Sequence, residues 1–262
     1  MPSPAVTSAL ERLPAPPIVE VVCGVRFERL PLDPLLLGAY WEPKRTNFPR
    51  HELHPPIYDR GPVTPEYPFT PRVWLVSESG EFLLQIQADR FYVNWRKGEG
   101  DYPRFSDHPQ SRGVLSRVIE EFEGFADFCK RAIGISPVLE RVELTKIDAF
   151  RKGLHWKNLA DLVQMLPILS GVRSLADSED PIVNFQMSHT IENTEVTIGL
   201  GAASQVMPGG ELSPIWKLET AANRADTADL RGSFEVANRI ANDVFARLIA
   251  RGERDLRFGV VK

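Results

Sequence analysis

The sequence predicts an α+β protein of two tandem β-α-β-β-β-α halves sharing a curved, mainly antiparallel sheet, with helices packed on one face. Three observations carry that expectation. The segment IVEVVCGVRF alternates, with Val19, Val21, Cys23, Val25 and Phe27 on one side and Ile18, Glu20, Val22, Gly24 and Arg26 on the other. That is the two-residue period of a strand with one buried face. Two long segments instead carry apolar residues at helical spacing: Val114 to Ile133, and Phe234 to Ile249. Finally, the order strand, helix, three strands, helix runs twice, dividing the chain into residues 1–135 and 136–262. The repetition lies in element order, since residue identity between the halves is poor. A sheet half-covered by helices is the normal way to bury one oily face.

In the first half, Asp33-Pro34 opens a short helix as N-cap and first-turn proline, and Pro43 closes it after Trp41-Glu42. Residues 43–71 then hold eight prolines. Neither a periodic helix nor a strand is expected there, and a loop of that length is usually a functional or interaction surface. Its aromatics Phe48, Tyr58, Tyr67 and Phe69 can pin it to the body. A meander follows: RVWLVSE, FLLQIQAD and FYVNWRK, with turns at Ser79-Gly80 and Asp89-Arg90. Placing Ala88 opposite Phe91 pairs Ile86 with Val93 and Leu84 with Trp95 on an oily face. Gln87 then pairs with Tyr92 and Gln85 with Asn94 on an amide-rich one. The helical stripe from Val114 runs through Phe122, Phe125 and Cys129 to Ile133, and Gly134 is its stop.

The second half repeats the order with VLERVELTKIDAF, a helix over HWKNLADLVQMLP ended by Pro167, and the strands IVNFQMSH, EVTIGLGAA and PIWKLETA. Glu192-Asn193 and Pro208-Gly209-Gly210 separate those strands, and the last helix stops at Gly252.

Composition narrows the function classes. The chain has 262 residues, a net charge of −4 and well-mixed acidic and basic residues, so it lacks the basic field of a general nucleic-acid binder. Cys23 and Cys129 sit inside apolar patterns and read as buried, reduced thiols. The N-terminal residues lack a secretory pattern and no apolar run reaches membrane-spanning length, so a cytoplasmic location without membrane contact is expected.

Motifs with defined chemistry are weak. His51-Glu52-Leu53-His54 spaces its histidines by three rather than the four of a zinc-protease helix, and only Asp59 offers a further ligand nearby. Gly199-Leu200-Gly201 lacks the third glycine and the helix of a dinucleotide loop. No cofactor, metal or catalytic residue is assigned. The amide face is the more informative feature: Gln85, Gln87, Tyr92, Asn94 and Arg96 would share one surface, with Tyr102 beside it. Asn184 and Gln186 hold the corresponding region of the second half. Solvated strand faces commonly use Lys, Glu and Thr, whereas carboxamides, tyrosine and arginine supply fixed donors and acceptors.

The stretches PPIVEVVCGVRFERL, Trp41 to Phe48-Pro49, QIQADRFYVNWRK and YPRF together resemble a sporadically distributed, uncharacterised bacterial family of similar length. Its signature is a Gln-rich strand, an Arg-Phe turn and Asn-Trp-Arg, then Tyr-Pro. The resemblance spans nearly the whole chain and is strongest in the first half. It carries no activity, and implies an accessory gene of a mobile, toxin–antitoxin or phage-defence locus. The expected function is a non-catalytic binding or interaction protein that holds a partner protein, encoded nearby, on the open sheet face and Pro-rich loop. A homo-oligomer would use the same seam. One alternative is a nucleic-acid or nucleotide binder, with Tyr92 and Arg96 in contact. The other is an enzyme whose site assembles from Glu20, Arg26, Asn94 and Arg96. In each, the first half is the recognition half and the second the scaffold.

Overall fold

A computed structural model describes residues 13–57, 71–107, 112–173, 184–206, 210 and 212–259. In chain order the elements are β1 (Ile18–Phe27), α1 (Pro34–Trp41), β2 (Arg50–His54), β3 (Arg72–Val76), β4 (Phe82–Gln87), β5 (Arg90–Arg96) and α2 (Val114–Ile133). Then come β6 (Leu139–Arg151), α3 (Leu159–Met165), α4 (Ser170–Arg173), β7 (Asn184–Ile191), β8 (Thr194–Val206), β9 (Leu212–Arg224), α5 (Leu230–Leu248) and α6 (Arg251–Phe258). The strands form one antiparallel sheet of nine in the order β2-β3-β4-β5-β1-β6-β9-β8-β7. The mixed α and β character and the large antiparallel sheet follow the sequence expectation. None of the described helices is long and apolar enough to cross a membrane.

Two compact units are distinguished. One comprises Glu20–Leu144 and Asn223–Phe234. Val21, Cys23, Val25 and Phe27 of β1 and Phe91, Val93 and Trp95 of β5 form the oily face of its sheet, all essentially inaccessible. Phe91 stacks on Phe125 of α2 at 5.0 Å, and Phe27 lies 5.8 Å from the same ring. Tyr40 of α1 meets Phe125 edge-on at 5.5 Å. Such offset and edge-to-face pairs add about 0.5–1.5 kcal/mol each beyond their buried area. Both helix signals act as read. The Asp33 carboxylate accepts from Leu36 N at 2.8 Å, and Gly134 ends α2 at φ 72°, where a side chain would be strained. Cys23 and Cys129 are both buried and are not joined in a disulfide.

The other unit comprises Thr145–Ala222 and Glu235–Lys262, together with the leader up to Val19. Its core joins Phe150, Trp156, Val196, Ile198, Leu200, Trp216 and Leu218 to Ile240, Val244 and Phe245 of α5 and Phe258 of α6. Asn158 caps α3 by accepting from Asp161 N at 3.0 Å.

Three local expectations are corrected. The Pro-rich stretch does contain a strand, β2, because an edge strand tolerates flanking Pro49 and Pro55 and, among the described residues, pairs only with β3. The β4–β5 register is shifted by two, Ile86 facing Phe91 and Gln85 facing Tyr92. The turn is Ala88-Asp89, whose carbonyls accept from Leu30 N at 2.8 Å and Phe27 N at 3.1 Å, so the chain leaving β1 fixes it. A shift of two leaves every side chain on its expected face. Gly252 is not a stop: α5 ends at Leu248 and Gly252 lies inside α6, which the burial of Phe258 anchors. Phe48 is buried as anticipated, its carbonyl accepting from Trp41 Nε1 at 2.8 Å. Tyr58, Tyr67, Phe69, Pro208 and Gly209 lie outside the described residues.

Candidate functional site

The face of β1, β3, β4 and β5 opposite α2 carries the amide residues. Strand alternation puts Gln85, Tyr92 and Gly24 in one cross-strand row, with Asn94 one row along and Glu20 facing Arg96. Gly24 is required there. A Cβ at that position would come within 2.1 Å of the Phe91 carbonyl oxygen and 2.5 Å of the Tyr92 ring. Its absence lets the Tyr92 side chain lie across β1.

Gln85, Gln87, Tyr92 and Asn94 are brought together, but the expectation of an open surface is corrected: all four are buried, Asn94 at 1% exposure. They consume one another's hydrogen-bonding capacity. Gln85 Nε2 donates to Asn94 Oδ1 at 2.7 Å, Asn94 Nδ2 donates to Glu20 Oε1 at 2.8 Å, and Arg96 Nε reaches the same oxygen at 3.2 Å. Arg72 Nη1 donates to Gln85 Oε1 at 3.2 Å. Gln87 clamps the backbone of Ile57, accepting from its N–H at 2.8 Å and donating to its carbonyl at 2.9 Å. The described end of the Pro-rich loop is thereby held on the sheet face. The Tyr92 hydroxyl donates to Glu143 Oε2, and burial first, then the Glu143 charge, pushes its pKa well above the ordinary phenol value. Sequence parity identified the face; what would cover it was not visible.

Tyr102 does not join this group. Its ring packs on Trp95 at 4.9 Å, and Trp95 belongs to the oily face. Of the four residues weighed for an enzyme site, Glu20, Asn94 and Arg96 converge, while Arg26 pairs with Glu140 at 2.9 Å. Arg96 takes Glu20 as its carboxylate.

A rim of different character borders the network. Trp74 lies on the same face as Gln85, its cross-strand partner. The His54 ring centroid is 3.8 Å from that of Trp74, and the guanidinium carbons of Arg96 and Arg72 are 4.7 and 5.3 Å from it. Three cationic or cation-capable groups therefore surround one indole. Trp74 Nε1 and Arg72 Nε are inaccessible to solvent and have no hydrogen-bond partner among the described residues. His51, three residues from His54 along β2, packs instead on Trp41 at 4.4 Å. Asp59 lies outside the described residues, among which no group of three or more metal-binding side chains is found.

In the other unit the corresponding carboxamides have the opposite setting. Asn184 and Gln186 on β7 are exposed, opposite Gly201 and Gly199 of β8. Ser188 and Thr197 share a hydrogen bond at 2.9 Å, and Lys217 and Glu219 of β9 are exposed. The Glu192-Asn193 turn has φ 49° and 59°, the left-handed pair of a tight hairpin. β7 is the last strand of the sheet, so β8 is its one strand neighbour among the described residues. Phe185 and Met187, which side with buried Leu200 and Ile198, are nevertheless 37% and 39% exposed.

Sequence reasoning missed one polar group entirely. On β6, Lys146 and Asp148 alternate in phase with Val142, Leu144 and Phe150, and both are buried. Lys146 Nζ donates to Asn242 Oδ1 of α5 at 2.6 Å. Burial pushes the Asp148 carboxyl up to about 7, with the Lys146 charge opposing it. Charged residues sitting in phase with an apolar strand face were the available signal. No protein-family model matches the chain, and no curated protein matches it.

Proposed function

We propose that this chain is a protein-binding module that accepts an extended segment of a partner protein as an added strand along β7. The observation that carries the reading is an eight-residue terminal strand, NFQMSHTI, with neither charge nor proline. A terminal strand presents unpaired backbone groups, and proteins that leave such an edge unused normally guard it with lysine, proline or a bulge. Strand addition draws affinity from backbone hydrogen bonds and specificity from alternate side chains. The partner segment would alternate apolar with uncharged polar residues, its apolar side chains meeting Phe185 and Met187. Exposed polar side chains on β7 to β9 would rim the contact. The family resemblance agrees with an accessory binding role, the partner encoded nearby. Two β-α-β-β-β-α halves divided at residue 135 belong to the same proposal; setting aside β2, α4 and α6 leaves that order twice.

The test is deuterium exchange at the β7 amides of the full chain, alone and with an excess of a synthetic peptide copying residues 184–191. The peptide should slow exchange, and its backbone N-methylated version should not. Amides already slow in the isolated monomer, or unmoved by the peptide, would overturn the reading. Light scattering that shows a dimer, dissociated by Met187→Lys, would make a second copy the occupant instead of a partner.

A further inference from the structure

The polar face of β3 and β5 holds an arginine whose surroundings are incomplete, and this observation is independent of β7. The other charged groups there are matched: Arg96 with Glu20 at 3.2 Å, His54 with Glu52 at 3.0 Å and Arg90 with Asp89 at 3.4 Å. Arg72 makes its described contact with a neutral oxygen, Gln85 Oε1, at 3.2 Å. No carboxylate pairs with it among the described residues. Desolvation, the largest influence on it, lowers its pKa, which expresses the same mismatch. Its Nε and the neighbouring Trp74 Nε1 are two inaccessible donors without an acceptor among the described residues. Leaving a buried donor unsatisfied costs about 1–3 kcal/mol, and native proteins seldom do so without a reason.

What is missing has a definable chemistry. It must accept at least two hydrogen bonds and carry negative charge, and it meets guanidinium groups, whose planar donors suit an oxyanion. A stacked base fits less well, because His54, Arg72 and Arg96 already crowd the indole. We propose that Arg72 and Trp74, flanked by Arg96, form a binding site for an oxyanionic group, a carboxylate or a phosphate. Gln85 and Asn94 act as positioning residues. Gln85 holds the Arg72 guanidinium, and Asn94 ties Gln85 to Glu20.

The Trp74 indole N–H is the natural reporter, identified among the five tryptophan signals by its loss in Trp74→Phe. The full ¹⁵N-labelled chain is titrated with sodium acetate, sodium phosphate and sodium chloride at matched ionic strength. A saturable shift of the Trp74 signal with acetate or phosphate, absent with chloride and at least tenfold weaker in Arg72→Gln, is expected. Which oxyanion saturates first assigns the ligand as carboxylate or phosphate. A shift equal in all three salts means an adventitious ion only and overturns the site, as does one that survives Arg72→Gln.

Arg72→Met supplies a second readout that needs no ligand. Replacing a partly desolvated guanidinium that no described carboxylate matches should leave the melting temperature of the unliganded protein nearly unchanged, the lost bond to Gln85 being offset by relief of that desolvation. A large fall would make Arg72 a structural group and overturn the proposal.

Discussion

The two terminal strands of the sheet are built on opposite principles. β2 is five residues, RHELH, bounded by Pro49 and Pro55 and carrying Arg50, Glu52 and two histidines. Its one large apolar residue, Leu53, is 66% exposed, but the charges beside it would have to be desolvated before another strand could pair. β7 is eight residues, uncharged, with Phe185 and Met187 exposed. The same contrast extends to the interiors. The unit bearing β2 spends its carboxamides on a closed hydrogen-bond network, while the unit bearing β7 leaves Asn184 and Gln186 in solvent and buries Lys146 and Asp148 instead. Equivalent residue types therefore do different work depending on what covers them.

The largest expected effect tests the carboxamides directly. Asn94→Ala removes the link between Gln85 and Glu20 and leaves the buried Gln85 Nε2 without its acceptor, while Glu20 keeps Arg96, so it should cost about 2 kcal/mol in chemical denaturation. Gln186→Ala, on the exposed face, should stay within about 0.5 kcal/mol. Comparable losses in both would erase the contrast.

Next comes the buried carboxyl. Asp148 has a folded pKa of about 7, above its unfolded value of 3.8, so the folded state binds more protons between those limits. Its contribution makes stability fall as pH rises from about 4 to about 7, with a slope of at most about 1.4 kcal/mol per pH unit. Denaturation midpoints across that range should flatten in Asp148→Asn; an unchanged slope would show that the carboxyl is not the source.

The smallest effect on stability concerns the edge itself. Met187→Lys should shift unfolding by less than about 0.5 kcal/mol, while reducing protection of β7 by the strand peptide at least tenfold. The reciprocal change, Arg50→Val with Glu52→Val, should make β2 prone to association in concentration-dependent light scattering. Equal behaviour of the two edges after these exchanges would mean that charge is not what separates them.

Much of the local structure was legible. Alternation in IVEVVCGVRF, the Val114 to Ile133 stripe, the Asp33-Pro34 start and the Gly134 stop each depend on neighbours within a few residues. Side-chain parity survived even a two-residue error in register, because the strand period is two. The amide residues were recognised as belonging together for the same reason. Their burial was not legible, since it depends on Ile57 returning to Gln87 and on Glu143 reaching Tyr92, contacts between residues 30 and 51 positions apart. Trp74 gave no signal as an isolated aromatic; it matters because sheet pairing brings His54 of β2 and Arg96 of β5 to the ring that Arg72, two residues back on β3, already adjoins.

By itself, then, the sequence determined the element types, their faces and the α+β class, because periodicity and capping are short-range properties of the chain. Tertiary structure decided which strand became an edge, which polar face was closed and which charged pair entered the core. Those outcomes depend on which segments cover which surfaces, and coverage is fixed only when residues distant in sequence compete for the same solvent-free space.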